Sequence, residues 1–473
     1  MTATLPAVAA TQVVELLDRV VPGERIVVDA DVLDSLSRDQ AAWAPVGRAT
    51  AAVRVRNATE VAAVVTCCAD LGVPVVARGA GTGLSGGANA VDGCVVIDLS
   101  RMTAIVEIDR DNLVAVVEPG VVNDDLKAAV KDVGLWYPPD PASAPWSTIG
   151  GNIATNAGGL CCLKYGVTRD YAIGLEAVVG GSPGYGTIAR LGRRTTKGVA
   201  GYDLVGLMCG SEGTLGIVTQ ATVRLRPQVS GVPRTIVGSF DQLVQAGEAV
   251  ALITRRGLVP VALELLDRYC MEAVEEWKHL GLSLDAEALL LARVDTPGES
   301  GAAEAQAIVN AFTECGAVWA EQSTDDTEAE ALFAARRLAY PALERLGPVL
   351  TEDVCVPRSE VPGMLAEIEA IGKRHGVQIA SIAHAGDGNL HPLIVGQAGD
   401  GEAPPAAAAA FEEILDAAIA RRGTVTGEHG VGILKAGGMQ REVDPVTQTL
   451  MHDVKNSLDP RHLFNPGKVL ADR

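Results

Sequence analysis

Apolar and polar positions alternate between helical and strand-like runs from the start of the chain. Asn57 and Glu60, three residues apart, resemble a capping box, the apolar run VAAVVTCCADL follows, and Gly72 closes it. A helix is predicted there. PVVA (74–77), CVVIDL (94–99) and LVAVVEPG (113–120) read as strands, with a turn at Asp92-Gly93, and NDDLKAAVKDVG reads as a helix capped at Asn123. In 201–227 a glycine-rich turn joins two strand-like runs, with a β-hairpin connection as the plain alternative. Beyond Arg226-Pro227 the pattern changes. From about 239 to 321 amphipathic helices (QLVQAGEAVALITRRG, SGAAEAQAIVNAFTECG) alternate with strands such as 288–295, the mark of an α+β lobe with an antiparallel sheet. A Pro/Ala segment (402–410) precedes the helix FEEILDAAIARRG, and a C-terminal helix ends in DPRHLFNPGKVL. No solenoid repeat is present.

At 473 residues the chain predicts two or three domains, and 48% hydrophobic residues argue against disorder. A net charge of −20 excludes a nucleic-acid backbone as partner. No apolar stretch approaches the roughly 18 residues of a membrane span. The N-terminus lacks the positive region of a signal peptide. Nine cysteines form no CxxC pair, and Cys67-Cys68 and Cys161-Cys162 are doublets poorly placed for disulfides. That usage fits a cytoplasmic protein without an iron–sulfur cluster, with peripheral attachment to a membrane left open.

RGAGTGLSGG (78–87) places five glycines in ten positions and contains Gly81-x-Gly83-x-x-Gly86. A nicotinamide fold needs strand, glycine turn and then at once a helix. Here the loop runs from strand to strand, so that fold is excluded, and a nest of backbone N–H groups for a diphosphate remains. The run from Pro138 to Gly166 is rich in Gly, Ser, Thr and Asn and suits close backbone approach to a ligand.

Three of the seven histidines fall in two compact motifs, His384-Ala-Gly-Asp-Gly-Asn-Leu-His391 and Gly427-Glu428-His429-Gly430. Two histidines and a carboxylate are a plausible divalent-metal set. Equally, Asp387 and Asn389 could simply build a turn, and the spacing does not choose between the two. Arg336 could clamp a carboxylate or lie on a solvated helix face beside Arg337. His279 and His375 read as helix ends, and His452 and His462 need no function.

Together PVVARGAGTGLSGG, PPDP with TIGGNIATNAGG and CLKYG, GSEGTLGIVT, HAGDGNLHPLI, GEHGVG and DPRHLFNPGK resemble the FAD-dependent 2-hydroxy-acid dehydrogenases. These include D-lactate dehydrogenases and the flavin subunit of bacterial glycolate oxidase. The motifs keep the family's order from about Trp43 to Lys468. The resemblance implies an α+β fold, a two-lobed FAD-binding domain of the PCMH/vanillyl-alcohol-oxidase type with an α+β substrate cap built on an antiparallel sheet. The expected divisions are 1–42 (helical), 43–228 (FAD-binding), 229–427 (cap) and 428–473 (a helical return to the FAD domain).

The resemblance assigns the FAD diphosphate to Arg78, Gly79, Ala80, Gly81, Thr82, Gly83, Leu84, Ser85 and Gly86. A second wall comprises Pro138, Asp140, Thr148, Gly150, Gly151, Asn152, Asn156, Gly158, Gly159, Tyr165 and Gly166. Gly210, Glu212, Gly213, Gly216, Ile217 and Val218 come beside the adenine and ribitol, and Asn465 completes the cofactor set. Covalently flavinylated relatives carry a histidine in the first glycine loop; its absence here implies non-covalent FAD. His384, His391 and Glu428 match the positions of a divalent metal, zinc or manganese, His429 the base, and Arg336 the substrate-carboxylate clamp. The implied reaction oxidises a small D-2-hydroxy acid to the 2-oxo acid, with hydride transfer to FAD. D-lactate leads and glycolate follows; a monocarboxylate is implied because Pro392 and Thr351 stand where 2-hydroxyglutarate enzymes carry an asparagine and a lysine. Cys161 replaces a histidine of some glycolate subunits, with no consequence assigned. An outside electron acceptor is required. A flavin subunit of a multi-subunit glycolate oxidase is the alternative, with partner subunits or a homodimer expected, and a non-catalytic metal- or flavin-binding protein is a remote one.

Overall fold

The computed structural model describes residues 10–231, 233–282, 284–323, 326–397 and 402–470. The chain folds as two compact units, one of Met1–Ala157, Val167–Gln228 and Glu428–Arg473, the other of Gly158–Gly166 and Val229–Gly427. The signal-peptide reading falls largely on residues 1–9, outside the described residues. Among the described residues no helix is long and apolar enough to cross a membrane, and all nine cysteines are free thiols.

In the first unit a four-stranded sheet is ordered Ile26–Val27, Ala51–Arg54, Val95–Asp98, Val75–Arg78. Val75–Arg78 and Ala51–Arg54 run parallel to Val95–Asp98 on either side of it. The helix Ala58–Leu71 buries Val61, Val64, Val65, Cys68 and Ala69, one face at helical spacing. Asn57 caps it by accepting the Glu60 N–H at 2.9 Å, and Gly72 ends it at φ 70°. Residues 463–465 add to the outer edge of Val75–Arg78, with Asn465 N donating to Val75 O at 2.8 Å. A second, antiparallel sheet is ordered Ile105–Asp109, Val114–Val117, Ile217–Arg224, Ala172–Val179, Thr187–Gly192.

Three sequence expectations are corrected in detail. Asn123 is not the cap of its helix: Val122 is, and the buried Asn123 amide instead donates to Asn152 Oδ1 at 2.9 Å. The first strand-like run of 201–227 is the short helix Leu204–Met208, because Asp203 caps it through the Gly206 N–H at 2.8 Å. The Pro/Ala segment belongs to the helix Pro405–Ala420, since proline is tolerated in a first helical turn and alanine favours the rest.

The second unit is built on a sheet of antiparallel pairs, ordered Trp319–Gln322, Arg234–Phe240, Ala288–Val294, Ala262–Asp267, Ile379–His384, Asn389–Val395, Val349–Thr351, with Val354–Cys355 also pairing to Asn389–Val395. Helices Arg268–Lys278 and Asp326–Glu344 share a buried cluster with it that includes Leu266, Val274, Phe333, Ile382 and Leu393.

Candidate active site

The glycine loop of the first unit leaves Val75–Arg78 and reaches Val95–Asp98 without an intervening helix. Among the described residues the backbone N–H groups of Ala80 through Ser85 meet no protein acceptor. Gly81 (φ 74°) and Gly86 (φ 78°) adopt the left-handed conformation, and a Cβ on Gly81 would run into the Arg78 guanidinium beneath it. Arg78 itself is buried and donates to the Arg38 carbonyl, so its side chain braces the loop from below. Asp39 pins the loop's far end by accepting from Ala88 N at 3.4 Å, and Thr148 Oγ1 would lie 2.5 Å from a Cβ on Gly79. Rows of unspent N–H groups on a braced glycine turn suit a diphosphate. The residues present fit FAD.

Several side chains of the second wall are committed to the protein. Thr148 caps the helix Ile149–Thr155 through the Gly151 N–H, Asn152 Oδ1 accepts from Asn123, and Asn156 ends that helix at φ 53° while accepting the Arg169 N–H at 2.9 Å. Pro138 is buried and Asp140 half-buried. Gly150 and Gly216 are close-approach positions, since a Cβ on either would strike Pro119 or the Val178 carbonyl. Gly210 and Gly213 have positive φ, and Ile217 and Val218 begin the strand paired to Ala172–Val179. Gly158, Gly159, Tyr165 and Gly166 belong to the second unit, where the Tyr165 hydroxyl and Lys164 both bond Asp295.

Glu212, also left-handed at φ 51°, holds the GEHG segment against the glycine loop. Its carboxylate accepts the N–H groups of Val431 (2.7 Å) and Gly432 (2.9 Å), while Ser85 Oγ donates to the His429 carbonyl at 3.1 Å. Asn465 Nδ2 ties Gly87 O (2.8 Å) to Glu212 O (2.7 Å). The Glu428 and His429 side chains are about one-sixth exposed, 3.9 Å apart at Oε1 and Nε2. Burial raises the Glu212 carboxyl to about 7, the two N–H groups and Lys435 opposing it.

A raised carboxyl means the folded state holds the proton more tightly. Its stabilising effect is complete below the ordinary value of 4.5 and is lost as pH climbs to about 7. Glu212→Gln should therefore flatten the pH dependence of urea unfolding across that window. The wild type is expected to lose on the order of 3 kcal/mol relative to the variant, at about 1.4 kcal/mol per tenfold change in proton affinity. Parallel pH profiles would refute the titration assigned to Glu212.

In the second unit His384 ends one strand of a hairpin and His391 sits in the next, joined by Ala385–Asp387 and by Gly388 at φ 80°. The register Ile382↔His391 puts both imidazoles on one face as diagonal neighbours, ring centres 5.2 Å apart. Each has a buried carboxylate at Nδ1: Glu264 at 2.9 Å from His384, Asp353 Oδ1 at 3.5 Å from His391. Asp353 also accepts from Asn389 Nδ2 (2.8 Å), Thr426 Oγ1 (2.6 Å) and Gly427 N (3.0 Å), which fixes the residue preceding Glu428. Arg336, only 5% exposed on Asp326–Glu344, is no solvated surface arginine. Its Nε lies 2.9 Å from Glu264 Oε2, an ionic contact whose N–H is not aimed at that oxygen. For His384 the Glu264 carboxylate at Nδ1 places the proton there and makes Nε2 the ligating nitrogen, so the donor set suits a divalent ion.

Glu264 and Asp353 are absent from the sequence expectations. Their one sequence signal is a carboxylate inside an apolar run, ALELLD and VLTEDVCV. His375 and His279 lie at helix ends as expected, His375 pairing with Glu413 at 2.5 Å and His279 itself capping at φ 52°.

Residues 49–184 match the family described as "FAD binding domain", and residues 231–469 match "FAD linked oxidases, C-terminal domain". The chain is 41% identical to glycolate oxidase subunit GlcD of Bacillus subtilis, over 89% of each chain. It is 32% identical to D-lactate dehydrogenase of Anaerostipes hadrus, over 97% of each. Its fold is similar to that of p-cresol methylhydroxylase (TM-score 0.81, 17% identity, 98% of this chain and 97% of that one) and of 4-ethylphenol oxidase from Gulosibacter chungangensis (0.81, 18%, 100% and 99%). At that identity the likeness shows the PCMH/vanillyl-alcohol-oxidase fold alone.

Proposed function

The chain belongs to the FAD-linked oxidases, and from that premise we propose that it oxidises a small D-2-hydroxy acid, D-lactate before glycolate, to the 2-oxo acid. The observation that carries the reading is the buried Arg336 and His384 on one carboxylate, Glu264, with the His391 ring 5.2 Å from that of His384. Arg336 grips the substrate carboxylate through its terminal nitrogens, which Glu264 leaves unused. His384, His391 and Glu428 would hold a zinc or manganese ion. When bound, the metal supplies Lewis-acid polarisation of the hydroxyl and the non-covalent FAD supplies a two-electron acceptor. His429 takes the hydroxyl proton, its backbone fixed by Ser85 and its following residues by Glu212. Thr351 is buried and brings no positive charge for a second carboxylate, which supports a monocarboxylate substrate.

A second reading, the flavin subunit of a multi-subunit glycolate oxidase, is supported by the 41% identity to a protein of that name. It adds partner subunits that accept the electrons. Both readings are tested by mixing the purified yellow protein, without oxygen, with D-lactate, L-lactate, glycolate and D-2-hydroxyglutarate. Loss of flavin colour with D-lactate or glycolate, but not with the other two, is expected. A protein indifferent to all four would overturn the function.

A further inference from the structure

We infer that Glu264 is a positioning residue that orients the histidine ligand His384 and the substrate clamp Arg336 together. The inference rests on the metal and clamp assignments proposed for those residues. Glu264 stands in Ala262–Asp267, a strand buried at every position, and is itself 1% exposed. The register Leu265↔Ala383 brings Glu264 opposite His384, one step along. Both its oxygens lie 2.9 Å from His384 Nδ1, and Oε2 lies 2.9 Å from Arg336 Nε.

What distinguishes Glu264 is how its oxygens are used. The neighbouring buried carboxylates hold backbone: Asp267 accepts from Cys270 N and Ser381 N, and Asp353 accepts from Gly427 N. Among the described residues the Glu264 carboxylate meets no backbone N–H, only His384 and Arg336. A buried carboxylate costs several kcal/mol unless it is compensated, and here the compensation comes entirely from two side chains of the proposed site. The contact to Nδ1 fixes the tautomer and plane of His384 and raises the basicity of Nε2. The contact to Nε leaves the guanidinium's two terminal nitrogens for a bidentate grip on the substrate. A shift of Glu264 would disturb both at once.

The test uses the full-length flavoprotein. Wild type, Glu264→Gln and Glu264→Asp are equilibrated with zinc or manganese in chelator buffers, and bound metal is measured directly, with flavin content as the control for folding. Gln removes the charge at nearly constant shape; Asp keeps the charge but withdraws it by one methylene. Both are expected to bind metal about 10- to 100-fold more weakly and to raise KM for the hydroxy acid more than they lower kcat. Wild-type metal affinity in either folded variant overturns the role of Glu264. A wild type that binds no metal overturns the metal assignment itself, and this inference with it. A measurement without substitution adds to this: 15N chemical shifts of His384 in the metal-free protein should report the proton on Nδ1. A proton on Nε2 would equally overturn the role.

Discussion

His429→Ala should give a protein that stays yellow but whose flavin D-lactate no longer bleaches at an appreciable rate. The main chain of this segment is held independently of the imidazole, by Ser85 Oγ on the His429 carbonyl and by Glu212 on the N–H groups of Val431 and Gly432. Deleting the ring therefore removes a proton acceptor without freeing the loop. General-base catalysis is typically worth about 10²–10⁴ in rate, and the rate of flavin reduction should fall by that factor. Flavin content should be unchanged. A variant reduced at the wild-type rate would remove His429 from the proton transfer.

Arg336→Met should lose both activity and stability, and Arg336→Lys separates the two. Methionine leaves the Glu264 carboxylate buried beside His384 without its cation, and breaking one side of such a pair costs about 3–5 kcal/mol of folding stability. Loss of the substrate's charged partner costs about 2–5 kcal/mol of binding, roughly 30- to 5,000-fold in kcat/KM. Lysine restores a charge near Glu264 but offers no planar fork, so the melting temperature should recover largely while kcat/KM stays low. Full recovery of kcat/KM with lysine would show that Arg336 acts as a charge alone. Wild-type kcat/KM with methionine would remove it from substrate binding.

The parts of this site legible in the sequence are those encoded locally. The cap at Asn57, the turn at Gly72 and the strand directly after RGAGTGLSGG are set by neighbours within a few residues, and the structure places them as the sequence predicts. Side-chain partnerships across long separations are not legible in that way. Glu264 reaches His384 over 120 positions and Glu212 reaches Val431 over 219, through registers no local pattern encodes. For the same reason Asn152 and Asn156 are polar residues in a ligand-like run whose amides serve the protein instead, Asn152 in buried hydrogen bonds with Asn123 and Ser147 and Asn156 on the Arg169 N–H. The glycines were legible as close approaches, but not what each one approaches.

The most direct measurement is anaerobic rapid mixing of the flavoprotein with D-lactate, or with glycolate if that is the faster substrate, carrying either hydrogen or deuterium at C2. Removal of the C2 hydrogen to the flavin predicts loss of yellow colour that is several-fold slower with deuterium, with L-lactate inert under the same conditions. Equal rates for the two isotopic forms, or a flavin that no 2-hydroxy acid reduces, would contradict it.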